Sequence, residues 1–396
     1  MTYRKFKADH LFDGYNLHGN DKVLLTAADG TIDAIVNESE AGDNIETFEG
    51  ILSPGLINCH CHLELSHMKG LIPQETGLVD FVFKVVTERH LSEETITAAI
   101  AEAETAMYNT GIVAVGDICN NLSTLPQKQQ GKLAYYNFIE TSGWLPAVAN
   151  DRFKRSFEFY TAFGKIQNSK FKIQNSLSPH APYSVSPDLW ELMRPYFNGK
   201  TITIHNQETA FEDELFTQGT GDFARMYEMM KLDTSFFQPT GTSSLRSYLP
   251  KMDNAEQVML VHNTFTTEND LLYAKTQHAN LNWCLCINAN LYIEKAVPPV
   301  DLLRRNDAHI VIGTDSLASN HELNILSELK TIHTHFPAVP LTELLQWATR
   351  NGAQALQLSD RLGSFETGKT PGIVLITGLE NGQLTQHSSA KNLCNL

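Results

Sequence analysis

Ser53-Pro54-Gly55-Leu56-Ile57-Asn58-Cys59-His60-Cys61-His62 is the stretch on which the fold of this 396-residue chain turns. A compact apolar run ends there in two histidines one residue apart. Alternate side chains of a strand share a face, so His60 and His62 are expected to point one way and Cys59 and Cys61 the other. Similar runs recur at 112–117, 133–140, 171–180, 201–205, 258–262, 281–288 and 310–315, making eight with 55–62. Most precede a helical pattern; over 92–109, Ile96, Ile100, Ala103 and Met107 repeat at helical spacing before a stop at Gly111. Repeated β-then-α units predict an α/β fold with a parallel sheet, and eight of them predict a (β/α)8 TIM-type barrel. In such a barrel both imidazoles lie inside at the C-terminal mouth and the thiols lie outward under the helices. An open doubly wound sheet is the alternative, weakened because no Gly-rich phosphate loop follows any strand.

Outward from this core the texture changes. The first fifty residues are short segments punctuated by Asp13-Gly14, Asp29-Gly30 and Gly42-Asp43, which suits small antiparallel strands. The tail from Arg361 returns to short strand-like pieces. The reading is a barrel over 52–357 and a small β-sandwich domain built from both chain ends, 1–51 and 358–396. Lys plus Arg is 30 against 45 for Asp plus Glu, a net charge of −15, which argues against nucleic acid and anionic membranes as partners. No apolar leader opens the chain and no uninterrupted apolar stretch approaches a spanning length. The six cysteines form no CxxC pair, so free thiols in a cytoplasmic setting are expected.

Five runs end in metal-binding or acid–base residue types: His60 and His62 on the first, His180, His205 and His262 on the fourth to sixth, and Asp315 on the eighth. Strands converging at one mouth bring such residues together. A lone strand-end histidine is ordinarily structural. His333-Thr334-His335 repeats the HxH spacing but falls in a predicted helix, where i and i+2 do not face one another. His60 and His62 with His205 and Asp315 are a different matter, offering an N3O set suited to zinc or ferrous iron with a position open for water. Glu208, three residues past His205, is placed to shuttle protons for that water; the bland reading makes it a helix-start carboxylate.

The ordered segments 53–62, Ser178-Pro179-His180-Ala181-Pro182-Tyr183, His205-Asn206-Gln207-Glu208, Val261-His262-Asn263, 313–320 and Ala348-Thr349-Arg350-Asn351-Gly352-Ala353 resemble the amidohydrolase superfamily. Within it they are similar to the branch of cytosine, guanine and S-adenosylhomocysteine deaminases and triazine hydrolases. The resemblance implies one divalent metal, Zn2+ or alternatively Fe2+, on His60, His62, His205 and Asp315. It also implies proton acceptance by Asp315, proton transfer by Glu208, a nucleophile-orienting His262, and substrate contacts from His180 and Glu88. No lysine ends a strand to bridge two metals, since Lys172 begins its run. Two departures stand out. The branch's seventh-strand Cys-Pro-Arg/Leu-Ser-Asn pattern is Cys284-Leu285-Cys286-Ile287-Asn288 here, which puts any copied specificity in doubt. Gly368-Lys369-Thr370-Pro371-Gly372 replaces the branch's Gly-Lys-x-Ala-Asp turn near the C-terminus.

The expected function is therefore hydrolytic deamination of an aminated heterocycle with release of ammonia. Adenine-type nucleosides (S-adenosylhomocysteine-like or aminodeoxyfutalosine-like) rank before guanine, pterins and triazines. Amidase, cyclic-amide or chlorohydrolase chemistry with the same residues is the alternative, and a non-catalytic interaction protein on the barrel is the remote one. A cytidine-deaminase zinc site is disfavoured: His62-Leu63-Glu64 mimics its HxE, but no PCxxC accompanies it. The expected partner is a small-molecule substrate, and the expected assembly a homodimer.

Overall fold

A computed structural model of the chain describes residues 3–166 and 173–393. Eight strands form at the predicted runs, four of them reaching one or two residues beyond: β1 (Leu56–Cys61), β2 (Ile112–Cys119), β3 (Ala134–Thr141), β4 (Gln174–Pro179), β5 (Thr201–Asn206), β6 (Gln257–His262), β7 (Leu281–Leu285) and β8 (Ile310–Ile312). Nearly every residue in them is buried, as strands covered on both faces require. One parallel sheet has the order β1-β2-β3-β4 and a second β5-β6-β7-β8. The two sheets meet at both outer edges. His205 N–H donates to the His180 carbonyl at 2.9 Å, and the N–H groups of Thr314 and Asp315 donate to the His60 carbonyl at 3.0 and 3.1 Å.

Helices cover the outer faces. α1 spans Leu78–Glu88; α2 spans Glu93–Asn109 and starts where Ser92 Oγ accepts the Thr95 N–H at 3.2 Å. Its buried Ile100, Ala103 and Met107 pack with Leu56, Ile112 and Val115. Between the sheets, Ile57, Cys59, Val113, Ile118, Phe138, Met259, Val261, Cys284 and Val311 form one interior cluster. The N-terminal strand ends are closed by the segment after a π-helical turn at Trp347–Asn351: the carbonyls of Gln354, Ala355 and Gln357 accept from Gln257, Thr201 and Gln174 side chains at 2.8, 2.8 and 3.0 Å.

The chain ends pair with each other. Strand Ile373–Thr377 lies antiparallel to Ile51–Pro54 and to Ser389–Asn392, in a five-stranded sheet that also holds His10–Phe12 and Leu17–His18. A four-stranded sheet made of the first fifty residues includes one parallel pair, Arg4–Lys7 with Glu46–Thr47. Phe6, Leu11, Leu24, Ile32, Leu52, Phe365, Ile373 and Leu375 share a separate apolar cluster. Among the described residues no helix is long and apolar enough to cross a membrane.

Several local expectations change. The seventh run stops as a strand at Leu285, and a helix, Ile287–Glu294, begins where a strand was expected to continue. The buried Glu328 carboxylate accepts the Asn288 N–H at 3.1 Å, so the apolar Cys286-Ile287 pair begins a helix; an apolar run alone does not tell the two apart. The eighth strand is only Ile310–Ile312, and Asp315 lies three residues past it. Phe171 and Lys172 of the fourth run, and Cys394, lie outside the described residues.

The two cysteines of the first strand do not share a face. Register shifts between Asn58 and Cys61 where β1 pairs with β2. Cys59 therefore packs in the interior cluster beside Cys284, while Cys61 joins the outer cluster with Leu63 and Met107. Strand alternation resumes only after that irregularity, at His60, Cys61 and His62.

Candidate functional site

The C-terminal strand ends carry buried polar groups in an otherwise apolar core. His60, His62, His205 and Asp315 each offer an atom to a cluster in which all such atoms lie within 4.8 Å of one another. Asp315 Oδ1 is 3.3 Å from His62 Nε2 and 3.6 Å from His60 Nε2, and the Nε2 atoms of His62 and His205 are 3.4 Å apart. Three imidazole rings thus stand with centroids 4.9–5.4 Å apart. Their positions follow from the backbone. Asp315 turns back towards the site at φ 56°, in the left-handed region, and Asn58 Nδ2 donates to the neighbouring Thr314 Oγ1 at 2.7 Å. Gln207, His262 and Asn263 are also left-handed, at φ 44°, 73° and 59°. Each such residue costs about 1–3 kcal/mol, and their concentration at the strand ends is typical of functional sites.

The electrostatics favour neutral imidazoles. Burial, reinforced by the neighbouring His180 and His60, holds the His205 pKa well below its usual value. Burial brings His62 down to about 4 and His262 down to about 3, against the pull of Asp315. Burial would raise Asp315, but the surrounding histidines overturn this and hold its carboxyl well below the carboxylate range.

Hydrogen bonds distinguish the rings. His205 Nδ1 donates to the His180 carbonyl at 2.7 Å, so its Nε2 faces the cluster as a lone pair. Asn290 Nδ2 donates to His262 Nδ1 at 3.2 Å, so His262 Nε2 carries the proton. His62 Nε2 stands 3.4 Å from that lone pair, and both nitrogens of the fully buried His60 lack a hydrogen-bond partner among the described residues. Converging ring nitrogens, a carboxylate and an orphaned imidazole fit a divalent cation. His262, with a proton facing inward, fits a donor role and not a ligand role.

The other predicted residues divide. Glu208 is buried, 3.7 Å from His262 Nε2. It precedes Thr209, the N-cap of the helix Ala210–Gln218, so the helix-start reading does not describe it. Burial, with Asp315, Glu294 and Glu212 nearby, pushes its carboxyl well above the usual range. His180 joins the cavity edge with Nδ1 on Ser184 Oγ at 2.8 Å, which leaves Nε2 for the cavity. Glu88 is the exposed last residue of α1. Its neighbours Val85, Val86 and Arg89 line the cavity and Glu88 does not.

That cavity holds about 780 Å³ and runs from His62, His205, His262, Glu208 and Asp315 past Trp144 and Tyr227 to Arg152 and Arg155. Trp144 and Tyr227 stack at 5.2 Å with planes 6° apart. Sequence reading missed Glu140 at the end of β3, whose position one strand-end before His180 was the available signal. It also missed Ser319, whose hydroxyl donates to Asp315 Oδ2, and Asn290.

Residues 51–392 match the model of the amidohydrolase family. The chain is 25% identical over 378 residues to the 5'-deoxyadenosine deaminase of Methanosphaera stadtmanae, covering 90% of this chain and 81% of that protein. It is also similar to the crystal structure of Helicobacter pylori aminofutalosine deaminase in complex with methylthio-coformycin, with a TM-score of 0.80, 23% identity, and coverage of 95% and 93%. The crystal structure of an adenosine deaminase from Xanthomonas campestris with bound zinc is similar with a TM-score of 0.70 at 21% identity, covering 94% of this chain and 84% of that one.

Proposed function

The chain belongs to the amidohydrolase family, and from that premise we propose that it hydrolytically deaminates an aminated heterocycle, an adenine-type nucleoside before others. The observation that carries the reading is the juxtaposition of a three-histidine, one-aspartate cluster with the buried carboxyl of Glu208 on a large cavity. The relatives named as deaminases of 5'-deoxyadenosine and aminofutalosine support the substrate class. We read the two parallel sheets, joined at both edges, as a closed (β/α)8 barrel over 52–357, and the end-pairing strands as a small β domain of 1–51 and 358–396. Five described cysteines are free, which supports a cytoplasmic setting.

His60, His62, His205 and Asp315 would hold one divalent ion, zinc in the first instance and ferrous iron as the alternative. Bound there, such an ion supplies a water acidified to a pKa near 7. The remaining work falls to the chain's own groups. Glu208, buried beside His262, would deliver a proton to the ring nitrogen next to the amine-bearing carbon, then collect the proton of the hydroxyl added at that carbon and pass it to the amine as the C–N bond breaks and ammonia leaves. His262 Nε2–H points at the reacting centre and stabilises negative charge developing there. His180 Nε2 accepts from the heterocycle. Asp315 would take the first proton of the attacking water and return it to Glu208 as the cycle closes.

Metal-quantified protein assayed for ammonia release from adenosine, 5'-deoxyadenosine, aminodeoxyfutalosine, guanine, pterins and triazines tests this. Release from at least one adenine nucleoside is expected. One metal per chain with no ammonia from any of them moves the function to amide or halide hydrolysis.

A further inference from the structure

Helix Ile325–His335 carries Glu328, whose side chain is fully buried and lies outside the lining of the cavity. Two donors from different elements converge on it. Asn320 Nδ2 donates to Oε1 at 2.9 Å, and the Asn288 N–H donates to Oε2 at 3.1 Å. Volume alone does not call for a carboxyl here, since methionine fills similar space at less desolvation cost. A glutamine has one accepting oxygen, and this position uses two.

Each bond leads to the site. Asn320 Nδ2 also donates to the Thr314 carbonyl at 2.9 Å, in the peptide immediately before Asp315. Ser319, beside Asn320, donates to Asp315 Oδ2. The other bond holds the start of the helix Ile287–Glu294, whose own N-cap residue, Cys286, offers its N–H groups no side-chain acceptor. A carboxyl at that end supplies one. Thr331 Oγ1, one turn along from Glu328, adds a bond to Asn288 Oδ1 at 2.7 Å. In the same turn of that helix stands Asn290, which selects the His262 tautomer and also donates to Thr264 Oγ1 at 2.7 Å.

We propose that Glu328 is a positioning residue. By accepting from both elements at once, it holds the Asp315 turn and the Asn290 helix in fixed relation, and so fixes both the cluster carboxylate and the proton-bearing face of His262. The inference rests on the metal-cluster reading above and adds a residue that acts only through Asn320 and Asn288.

The test reads two quantities on the zinc-loaded full chain. One is zinc affinity against a competing chelator. The other is the His262 ring tautomer from long-range proton–nitrogen correlation spectra, its signals assigned by their loss in His262→Asn. Glu328→Met removes both acceptors at similar volume. Affinity is expected to fall roughly 10–100-fold, and His262 to change from one tautomer to a mixture. Glu328→Gln keeps one acceptor and is expected to recover one readout but not both. Asn320→Ala cuts one bond alone, so affinity falls while the tautomer stays; this variant decides the matter if Glu328→Met does not fold. Glu104→Met is the control, since Glu104 is another fully buried carboxyl outside the cavity lining, accepting from the Tyr135 hydroxyl at 2.7 Å. It should lower stability and leave both readouts alone. Wild-type affinity and tautomer in either Glu328 variant overturn the inference, as does wild-type affinity in Asn320→Ala. Equal losses in Glu104→Met also overturn it, because both effects then follow from instability. A wild type that holds no zinc brings down the cluster reading and this inference with it.

Discussion

Gly313→Ala adds a single methyl group beneath a ligand. Gly313 N–H donates to the Leu285 carbonyl at 3.0 Å, and its φ is not left-handed, so alanine meets no backbone penalty there. The obstacle is space. An added Cβ would lie 2.8 Å from His60 Cβ and 2.9 Å from the Sγ atoms of both Cys284 and Cys286. Carbon atoms pack best at about 3.5–4.0 Å, so every contact must open by roughly 0.6 Å or more. All three neighbours are fully buried. Overpacking of this kind costs about 1–3 kcal/mol. The sulfurs can be removed, but His60 Cβ sits one bond from a backbone pinned by the N–H groups of Thr314 and Asp315. We expect a lower melting temperature and a metal affinity reduced about 10–100-fold, the scale seen when a ligand's support is disturbed. Thermal unfolding and metal titration against a competing chelator measure the two separately. Adding Cys284→Ala and Cys286→Ala is expected to restore most of the stability and little of the affinity. Wild-type affinity and stability in Gly313→Ala alone would refute the packing argument.

Other outcomes follow from the site. His205→Ala removes one of four donors, and elemental analysis after dialysis should show most of the metal gone; a full equivalent retained with normal turnover removes His205 from the site. Glu208→Gln keeps size but not the proton, so the metal-loaded variant is expected to lose roughly 10²–10⁴ in turnover; near-normal rates would end its role as shuttle while leaving the cluster intact. Burial pushes the Glu212 carboxyl up to about 8 from an ordinary 4.5, partly opposed by the Ser244 hydroxyl and the Gln207 N–H. The folded state therefore holds this proton more tightly than the unfolded one. Its contribution is full below about pH 4.5 and is lost as pH rises to 8, up to about 5 kcal/mol across that window. Denaturant titrations of Glu212→Gln should show a smaller fall in stability between pH 5 and 8 than wild type, and an identical fall would reject the shift.

The order of strands and the four residues of the ligand cluster were legible in the sequence because both are local patterns. Apolar runs of strand length mark β1 to β8, and a titratable residue at a strand end reaches the same rim whatever its distance along the chain. The helix at Glu93–Asn109, with Ser92 as its cap, is read from periodicity in the same way. Tertiary structure decided the rest. Whether Cys59 faces in or out depends on a register shift against β2, a partner more than fifty residues away. Whether Ile287 extends a strand or begins a helix depends on Glu328, forty residues on from Asn288. His205 and His262 look alike in sequence. One becomes a lone-pair ligand and the other an N–H donor because a carbonyl and an amide from elsewhere in the fold select opposite tautomers. Glu140 is an ordinary strand-end glutamate until packing buries its Oε2 without a hydrogen-bond partner among the described residues. Periodicity and residue type are properties of neighbours along the chain, whereas tautomer, register and the pairing of a buried charge belong to neighbours in space.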